Sequence, residues 1–330
     1  MGMIIPDHTI RNCVIINKLY AGTTGKISGD GYMIHEPVLY REVKEHLSCA
    51  SGGVIVDATV GHGGHARHLG EGLSEEGLLL GLDVDEGCLA RARERLSELK
   101  CQVKLIRENF GRLDEVLASE GISKVDVILA DLGVNSAQLE DSERGISFQR
   151  DGFLDMRLDG RLKRTAADIV NQTPEKELAD LIYKYGEERF SRRIAKRIAE
   201  ARRKKRLSTT GELVSVINKA LGIRGDGRRG RIHPATRTFQ ALRIVVNDEL
   251  GQLERLLKLV PDWLKVGGRV GIISFHSLED RLVKFDFREN KQAGRYKVIT
   301  KKPLVAQQDE RRSNPRSRSA KFRVAVYNGQ

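Results

Sequence analysis

Val54-Ile55-Val56-Asp57-Ala58-Thr59-Val60-Gly61-His62-Gly63-Gly64-His65 decides the fold of this 330-residue chain. Val54, Ile55 and Val56 are β-branched residues of a short buried strand, and Asp57 stands where that strand ends. Gly61, Gly63 and Gly64 follow, the residue type needed where backbone meets a ligand or takes a positive φ. Ala66-Arg67-His68-Leu69 then reads as a helix. Strand, glycine loop and helix form the first βα turn of a doubly wound, mostly parallel α/β sheet, in which ligands lie outside the carboxyl ends of the strands.

Many glycine loops bind nothing, so the next strand carries the argument. Leu78-Leu79-Leu80-Gly81-Leu82 runs into Asp83-Val84-Asp85, which puts a carboxylate about 20 residues beyond the glycines, where an acid accepts hydrogen bonds from ribose hydroxyls. Asp85 reads as the cap of a helix starting at Glu86. Asp83 is left as the ribose ligand. NAD and S-adenosylmethionine both suit this layout. The loop does not fit Gly-x-Gly-x-x-Gly, however, and Asp57 would set negative charge beside a pyrophosphate. A cationic sulfonium ligand with an amino-acid end suits that acid better, so S-adenosylmethionine is the expected cofactor.

Composition limits the partners. A formal net charge of +12 with 31% charged residues describes a basic chain whose positive charge is clustered, pointing to a polyanion. Aromatics at 5% argue against a broad base-stacking platform. Cys13, Cys49, Cys88 and Cys101 have no C-x-x-C spacing, so neither a metal site nor a disulfide framework is expected, and the thiols read as reduced in a cytoplasmic protein. No apolar run approaches the roughly 18 residues of a membrane span. Residues 1–32 show no sustained period. They read as a disordered extension ahead of a working start at Met33, with an organelle presequence as the alternative.

Further along, a helix through Val43 and Leu47 precedes the first strand. Leu89, Ala92 and Leu96 share one helix face, Val103-Lys104-Leu105-Ile106 is a third strand, and Phe110 beyond it is either core or the flank of an adenine ring. The fourth strand, Val125 to Ala130, ends at Asp131. That acid either bonds its own loop or, with Asn135 and Ser136 close by, lines a polar pocket facing the transferred group. Strand and helix then stop alternating. Thr173-Pro174 reads as a cap and first-turn proline, Phe190, Ile194 and Ile198 as a helix face, and Thr209 with Glu212 as a capping box. Arg192, Arg193, Lys196 and Arg197 lie in a run balanced by little acid beyond Glu200, a pattern that tracks phosphate backbones. A long helix through Leu242, Val245, Val246 and Leu250 follows. The sheet resumes at Val270-Gly271-Ile272-Ile273-Ser274, with His276 at its end, and the tail carries a second basic patch and the strand-like Phe322 to Val326. Residues 33–139 and 248–330 thus read as the catalytic domain, and 140–247 as an inserted, mostly helical substrate-recognition domain.

Several blocks carry a resemblance: Asp57 to His65, Asp131-Leu132-Gly133-Val134-Asn135-Ser136-Ala137-Gln138-Leu139, Glu143 to Phe148, Leu154 to Arg157, Tyr185 to Phe190, His233 to Gln240, Ser274 to Arg281 and Asn314-Pro315-Arg316. In this order they resemble the bacterial small-subunit (16S) ribosomal RNA cytosine-N4 methyltransferase family, the MraW family, from Ile34 to the end. The extension before Met33 has no counterpart, and Asn135-Ser136-Ala137 departs from the usual Ser-Ser-Pro. The resemblance implies a class I methyltransferase fold, with S-adenosylmethionine held by Gly63, Gly64, His65, Asp83, Phe110, Asp131 and Gln138. It implies a cytidine in the decoding region as target, in an assembled or nearly assembled 30S particle, and leaves a homodimer open. Arg192, Arg193, Lys196, Arg197, Arg237 and His276 are the expected substrate contacts, and Asp131, Asn135 and Ser136 the expected catalytic groups, in a direct displacement without a covalent enzyme intermediate. The rivals are a methyltransferase acting on DNA or protein, a non-catalytic ribosome-assembly factor that binds RNA, and, more remotely, an NAD oxidoreductase.

Overall fold

Successive side chains of a strand point to opposite faces, so a strand apolar at every position needs cover on both sides. Val54 to Val56, Leu78 to Leu82, Val127 to Ala130 and Val270 to Ile273 are stretches of that kind. A computed structural model describes residues 37–223 and 233–329; the extension 1–32, residues 33–36, the basic stretch within 224–232 and residue 330 lie outside the described residues. The chain runs α1 (Tyr40–His46), β1 (Val54–Asp57), α2 (Gly64–Gly70), β2 (Leu78–Asp83), α3 (Glu86–Leu96), β3 (Gln102–Arg107), α4 (Leu113–Ser119), β4 (Val125–Asp131) and a short α5 (Ser136–Glu140). It then leaves the sheet for α6 (Ala166–Gln172), α7 (Glu175–Gly186), α8 (Ser191–Lys204), α9 (Thr210–Leu221) and α10 (Thr236–Asn247). It returns through α11 (Glu249–Trp263), β5 (Leu264–Ser274), α12 (Ser277–Gln292), β6 (Tyr296–Val298), α13 (Gln308–Ser313) and β7 (Lys321–Tyr327).

The seven strands lie in the order β3-β2-β1-β4-β5-β7-β6. β1 to β5 are parallel, and β7 runs antiparallel to both β5 and β6. Val56, Leu80, Ile128 and Ile272 face a layer built from α4, α11 and α12. Their neighbours Ile55, Leu79, Val127 and Ile273 face α1, α2 and α3. The doubly wound sheet expected from the glycine loop is therefore present, with helices on both faces.

The segment between β4 and β5 has its own core, in which Ile169, Leu178, Ile182, Ile194, Ile198, Leu213, Ile217, Phe239 and Leu242 pack together. Three details differ from the sequence reading. Thr173 ends α6, and Pro174 rather than Thr173 is the N-cap of α7. Phe190 precedes α8 as its N-cap and is 52% exposed, so the buried face begins at Ile194. The single long helix is two, broken at Asp248 with φ 50°. The apolar period runs through the break, but Leu242 serves the inserted core and Leu253 the sheet, so the chain must turn between them.

Asn247 holds that turn. Its Oδ1 accepts the Leu158 N–H at 2.8 Å, and its Nδ2 donates to Met156 O at 2.8 Å and Arg243 O at 2.9 Å. Met156 is fully buried at φ 63°, a left-handed conformation that a non-glycine residue keeps only when its surroundings enforce it. Asn247→Ala is expected to lower unfolding free energy by about 1–3 kcal/mol by leaving these groups unpaired. A urea titration would show this as a reduced midpoint.

Candidate active site

Three neighbouring strands, β2, β1 and β4, each end in an aspartate. Parallel pairing brings Asp83, Asp57 and Asp131 to one rim. Asp83 closes the glycine loop against its strand, since Oδ2 accepts the Gly61 N–H and Oδ1 the Asp85 N–H, each at 2.9 Å. Thr59 joins β1 to β4, its Oγ1 accepting the Asp131 N–H at 2.6 Å. Gly63 has φ 76°, and a Cβ there would lie 3.3 Å from Leu96 Cγ. A Cβ on Gly64 would lie 3.3 Å from Pro37. The glycine requirement at 63 and 64 thus includes the packing of α3 and Pro37 against the loop, beyond the ligand approach read from sequence.

The electrostatics are one-sided. Burial pushes the Asp57 carboxyl up to about 7, with Asp83 adding to the rise. Burial raises Asp83 to about 6 against the opposing backbone bonds. Asp131 is held well above the usual carboxylate range by burial, then by Asp57 and Glu279, with Arg316 alone opposing. His65 Nε2 lies 3.6 Å from Asp131 Oδ2. Burial, then His68 and Arg95, depress this imidazole to about 3, so it is neutral and the contact is no ion pair. Asp131 Oδ1 and His65 Nε2 are buried without a hydrogen-bond partner. Buried polar atoms lacking a partner are costly. Acids held partly neutral around them fit a ligand that brings both positive charge and polar groups, which is the donor set S-adenosylmethionine requires.

Next to Asp83 a cavity of about 460 Å³ opens, lined by Val84, Asp85, Glu86, Arg107, Arg144 and Leu158 among others. That volume suits a nucleoside-sized group. Asp85 caps α3 as expected, its Oδ1 accepting the Gly87 N–H at 2.9 Å. Its Oδ2 also takes Gln138 Nε2 at 3.1 Å and Arg144 at 2.7 Å. Burial works against the Asp85 charge, but the bonds from Gln138 and Arg144 outweigh it and hold the carboxyl below its usual range. Asn135 and Gln138 form the capping box of α5, and Asn135 Nδ2 donates to Cys88 Sγ at 3.1 Å. The Asn135 amide is thereby engaged at both ends. Ser136 begins α5, and its side chain lies outside the described residues. Phe110 starts a 3₁₀ turn and packs, partly buried, on the core between the sheet and α11.

His276 caps α12, with Nδ1 accepting the Glu279 N–H at 3.3 Å and Nε2 3.2 Å from Glu279 Oε1. Glu249, His276 and Glu279 bring ligand-type atoms within 4.8 Å of one another. Arg243 already supplies the positive charge there, bonding both Glu249 oxygens at 2.8 and 3.0 Å. On α8, Arg192, Arg193, Lys196 and Arg197 are exposed while Ile194 and Ile198 are buried. Arg193 and Arg237 meet at a hollow of about 380 Å³ with Arg189 and Phe190; Arg192, Lys196, Arg197 and His276 are not part of its lining. Glu187, at the end of α7, joins the inserted helices to α12 through Ser277 Oγ at 2.6 Å and Arg281 at 2.9 Å. Sequence reasoning missed Thr59, Cys88, Arg144 and Arg316. Thr59, Arg144 and Arg316 do stand in the family blocks quoted above, and that was the available signal.

A profile of the MraW methylase family matches residues 32–327. The chain belongs to the MraW methylase family. It is 47% identical over 309 residues to the ribosomal RNA small subunit methyltransferase H of Syntrophus aciditrophicus, covering 89% of this chain and 98% of that one. The protein of the same name from Persephonella marina is 48% identical over 291 residues, covering 88% and 98% respectively. That from Acaryochloris marina is 48% identical over 297 residues, covering 89% and 95%. Among the described residues no helix is long and apolar enough to cross a membrane.

Proposed function

We propose that this protein is an S-adenosylmethionine-dependent methyltransferase of small-subunit ribosomal RNA, acting in the cytoplasm on the N4 amine of a cytidine in the decoding region of an assembled or nearly assembled particle. The observation that carries this reading is the half-buried Asp131 carboxyl at the rim, whose buried Oδ1 has no hydrogen-bond partner and which is set among acids with little cationic compensation. S-adenosylmethionine would supply an electrophilic methyl group there, held by the loop of Gly63 and Gly64, by His65 and Asp83, and by Gln138 through its bond to Asp85.

The exocyclic amine of cytosine is a weak nucleophile, because its lone pair is delocalised into the ring, and it becomes positive as it is methylated. The Asp131 carboxylate accepts a hydrogen bond from that amine and then takes the proton it releases. Thr59 Oγ1 fixes the backbone of Asp131, so the acceptor is placed before the substrate arrives. Asn135 acts by positioning α5 rather than by touching the base. The inserted segment 140–247 presents Arg192, Arg193, Lys196, Arg197 and Arg237 to RNA phosphates. Mass spectrometry of nucleosides from small-subunit RNA tests the reading. Loss of an N4-methylated cytidine on gene deletion, with return on complementation, is expected; an unchanged nucleoside profile overturns it.

A further inference from the structure

Because β7 runs antiparallel, the chain that feeds it arrives at the same rim as the ends of β4 and β5. Lys321, the first residue of β7, pairs with Ser274, the last of β5. Residues 301–318 are therefore at the mouth of the site, on the β7 side. They carry six cations, Lys301, Lys302, Arg311, Arg312, Arg316 and Arg318, against two acids, Asp309 and Glu310. Both acids are turned onto α1: Asp309 lies 3.6 Å from Arg41, and Glu310 Oε1 accepts the Leu39 N–H at 2.8 Å. Lys301, Lys302, Arg311, Arg312 and Arg318 are exposed. Arg316 is half-buried and acts on Asp131, so positive charge continues from the surface to the catalytic carboxyl.

This strap is held in place. Leu304 pairs with Phe322 in an antiparallel bridge, Ala306, Ser317 and Ala320 are buried, and Arg318 Nε donates to Arg311 O at 3.0 Å. Lys321 and Arg323 are not part of the track, since both are bonded to Asp280, at 3.1 and 2.7 Å. We infer that residues 301–318 form a second RNA-binding surface, separate from the basic face of α8, which grips the backbone flanking the target nucleotide. Backbone flanking a base seated at Asp131 would run beside this rim, and backbone contacts are what fix register on a nucleic acid. Arginine predominates, which suits two-point bonding to phosphate oxygens. A fixed platform also loses little conformational freedom on binding.

The inference rests on the RNA methyltransferase reading, and the test separates the two. The full chain carrying Arg311→Gln, Arg312→Gln and Arg318→Gln is titrated with a fluorescein-labelled fragment of small-subunit ribosomal RNA at several salt concentrations. Weaker binding is expected, with the slope of log K against log salt reduced by about 2, at roughly 0.7–0.9 per lost phosphate contact. Affinity for S-adenosylmethionine, read by calorimetry, stays unchanged and shows that the chain is folded. The double variant Arg311→Gln with Arg312→Gln keeps Arg318 and its bond, and is expected to lose roughly two-thirds of that slope. A normal slope in both, with a reduced slope in Arg192→Gln/Lys196→Gln, overturns the strap and leaves the RNA reading standing. Failure of the unaltered protein to bind the RNA overturns both. If polyglutamate binding falls as much as RNA binding, the strap is a general anion surface and the inference also fails.

Discussion

Asp131→Asn is expected to slow methyl transfer at saturating cofactor by roughly 10²–10³-fold, the usual effect of removing one preorganised group that faces charge developing in a transition state. The substitution keeps the shape of the side chain. It also keeps the backbone bond to Thr59 Oγ1 at 2.6 Å, so the end of β4 stays in place. What changes is the chemistry at Oδ1 and Oδ2. A carboxylate can only accept hydrogen bonds, whereas an amide presents a donor to an amine that is itself becoming a cation. His65 is neutral and Arg316 is of the wrong sign, so neither replaces the lost charge; Asp57 and Glu279 act on the site through their field and are unchanged by the substitution. Cofactor affinity is expected to fall much less than the rate, because Asp83 and the glycine loop are untouched. Single-turnover transfer from labelled S-adenosylmethionine, with the affinity measured separately by calorimetry, distinguishes the two effects. A near-normal rate with weakened cofactor binding would assign Asp131 to holding the donor.

The sheet was legible because its residues carry local signals that tertiary structure does not override. Val54 to Asp57, Leu78 to Asp83 and Val125 to Asp131 are buried on both faces and bounded by glycine or acid, so each reads as a parallel strand and each occurs as one. The break at Asp248 was not legible. The apolar spacing from Leu242 to Leu250 is continuous, and the turn depends on Asn247 meeting Met156 and Leu158, residues about 90 positions away. The rim acids could be named from sequence, but their protonation could not, since burial is the largest cause at Asp57, Asp83 and Asp131. Asp85 shows the same limit. Its capping role follows from its place before Glu86, whereas its bonds to Gln138 and Arg144 join segments far apart in the chain. The inserted segment could be recognised as helical and basic, but pattern alone did not reveal that Glu187 fastens it to α12.

Binding of S-adenosylmethionine is expected to expel protons and to tighten by roughly ten- to a hundredfold between about pH 5.5 and about pH 7.5. The sign follows from the rim acids. Asp57 rises from 3.8 to about 7 and Asp83 from 3.8 to about 6, and Asp131 is raised as well. A carboxyl raised on folding binds more protons in the folded chain than in the unfolded one over that window, so stability of the free protein declines as pH rises from about 4 to about 7. A cation favours the ionised form of each acid and reverses that preference, so its affinity rises over the same range. His65, at about 3, stays neutral, while Glu279 and Asp85 are held below their usual range and stay ionised, burial in both cases being outweighed by their hydrogen-bonding and cationic neighbours. S-adenosylhomocysteine keeps the ammonium group but has no sulfonium charge. It is therefore expected to release fewer protons and to show a shallower pH dependence. Calorimetry in two buffers of different ionisation enthalpy counts the protons directly. An affinity that is flat or declining with pH, or an equal proton release by the two ligands, would mean that the rim acids do not face the sulfonium.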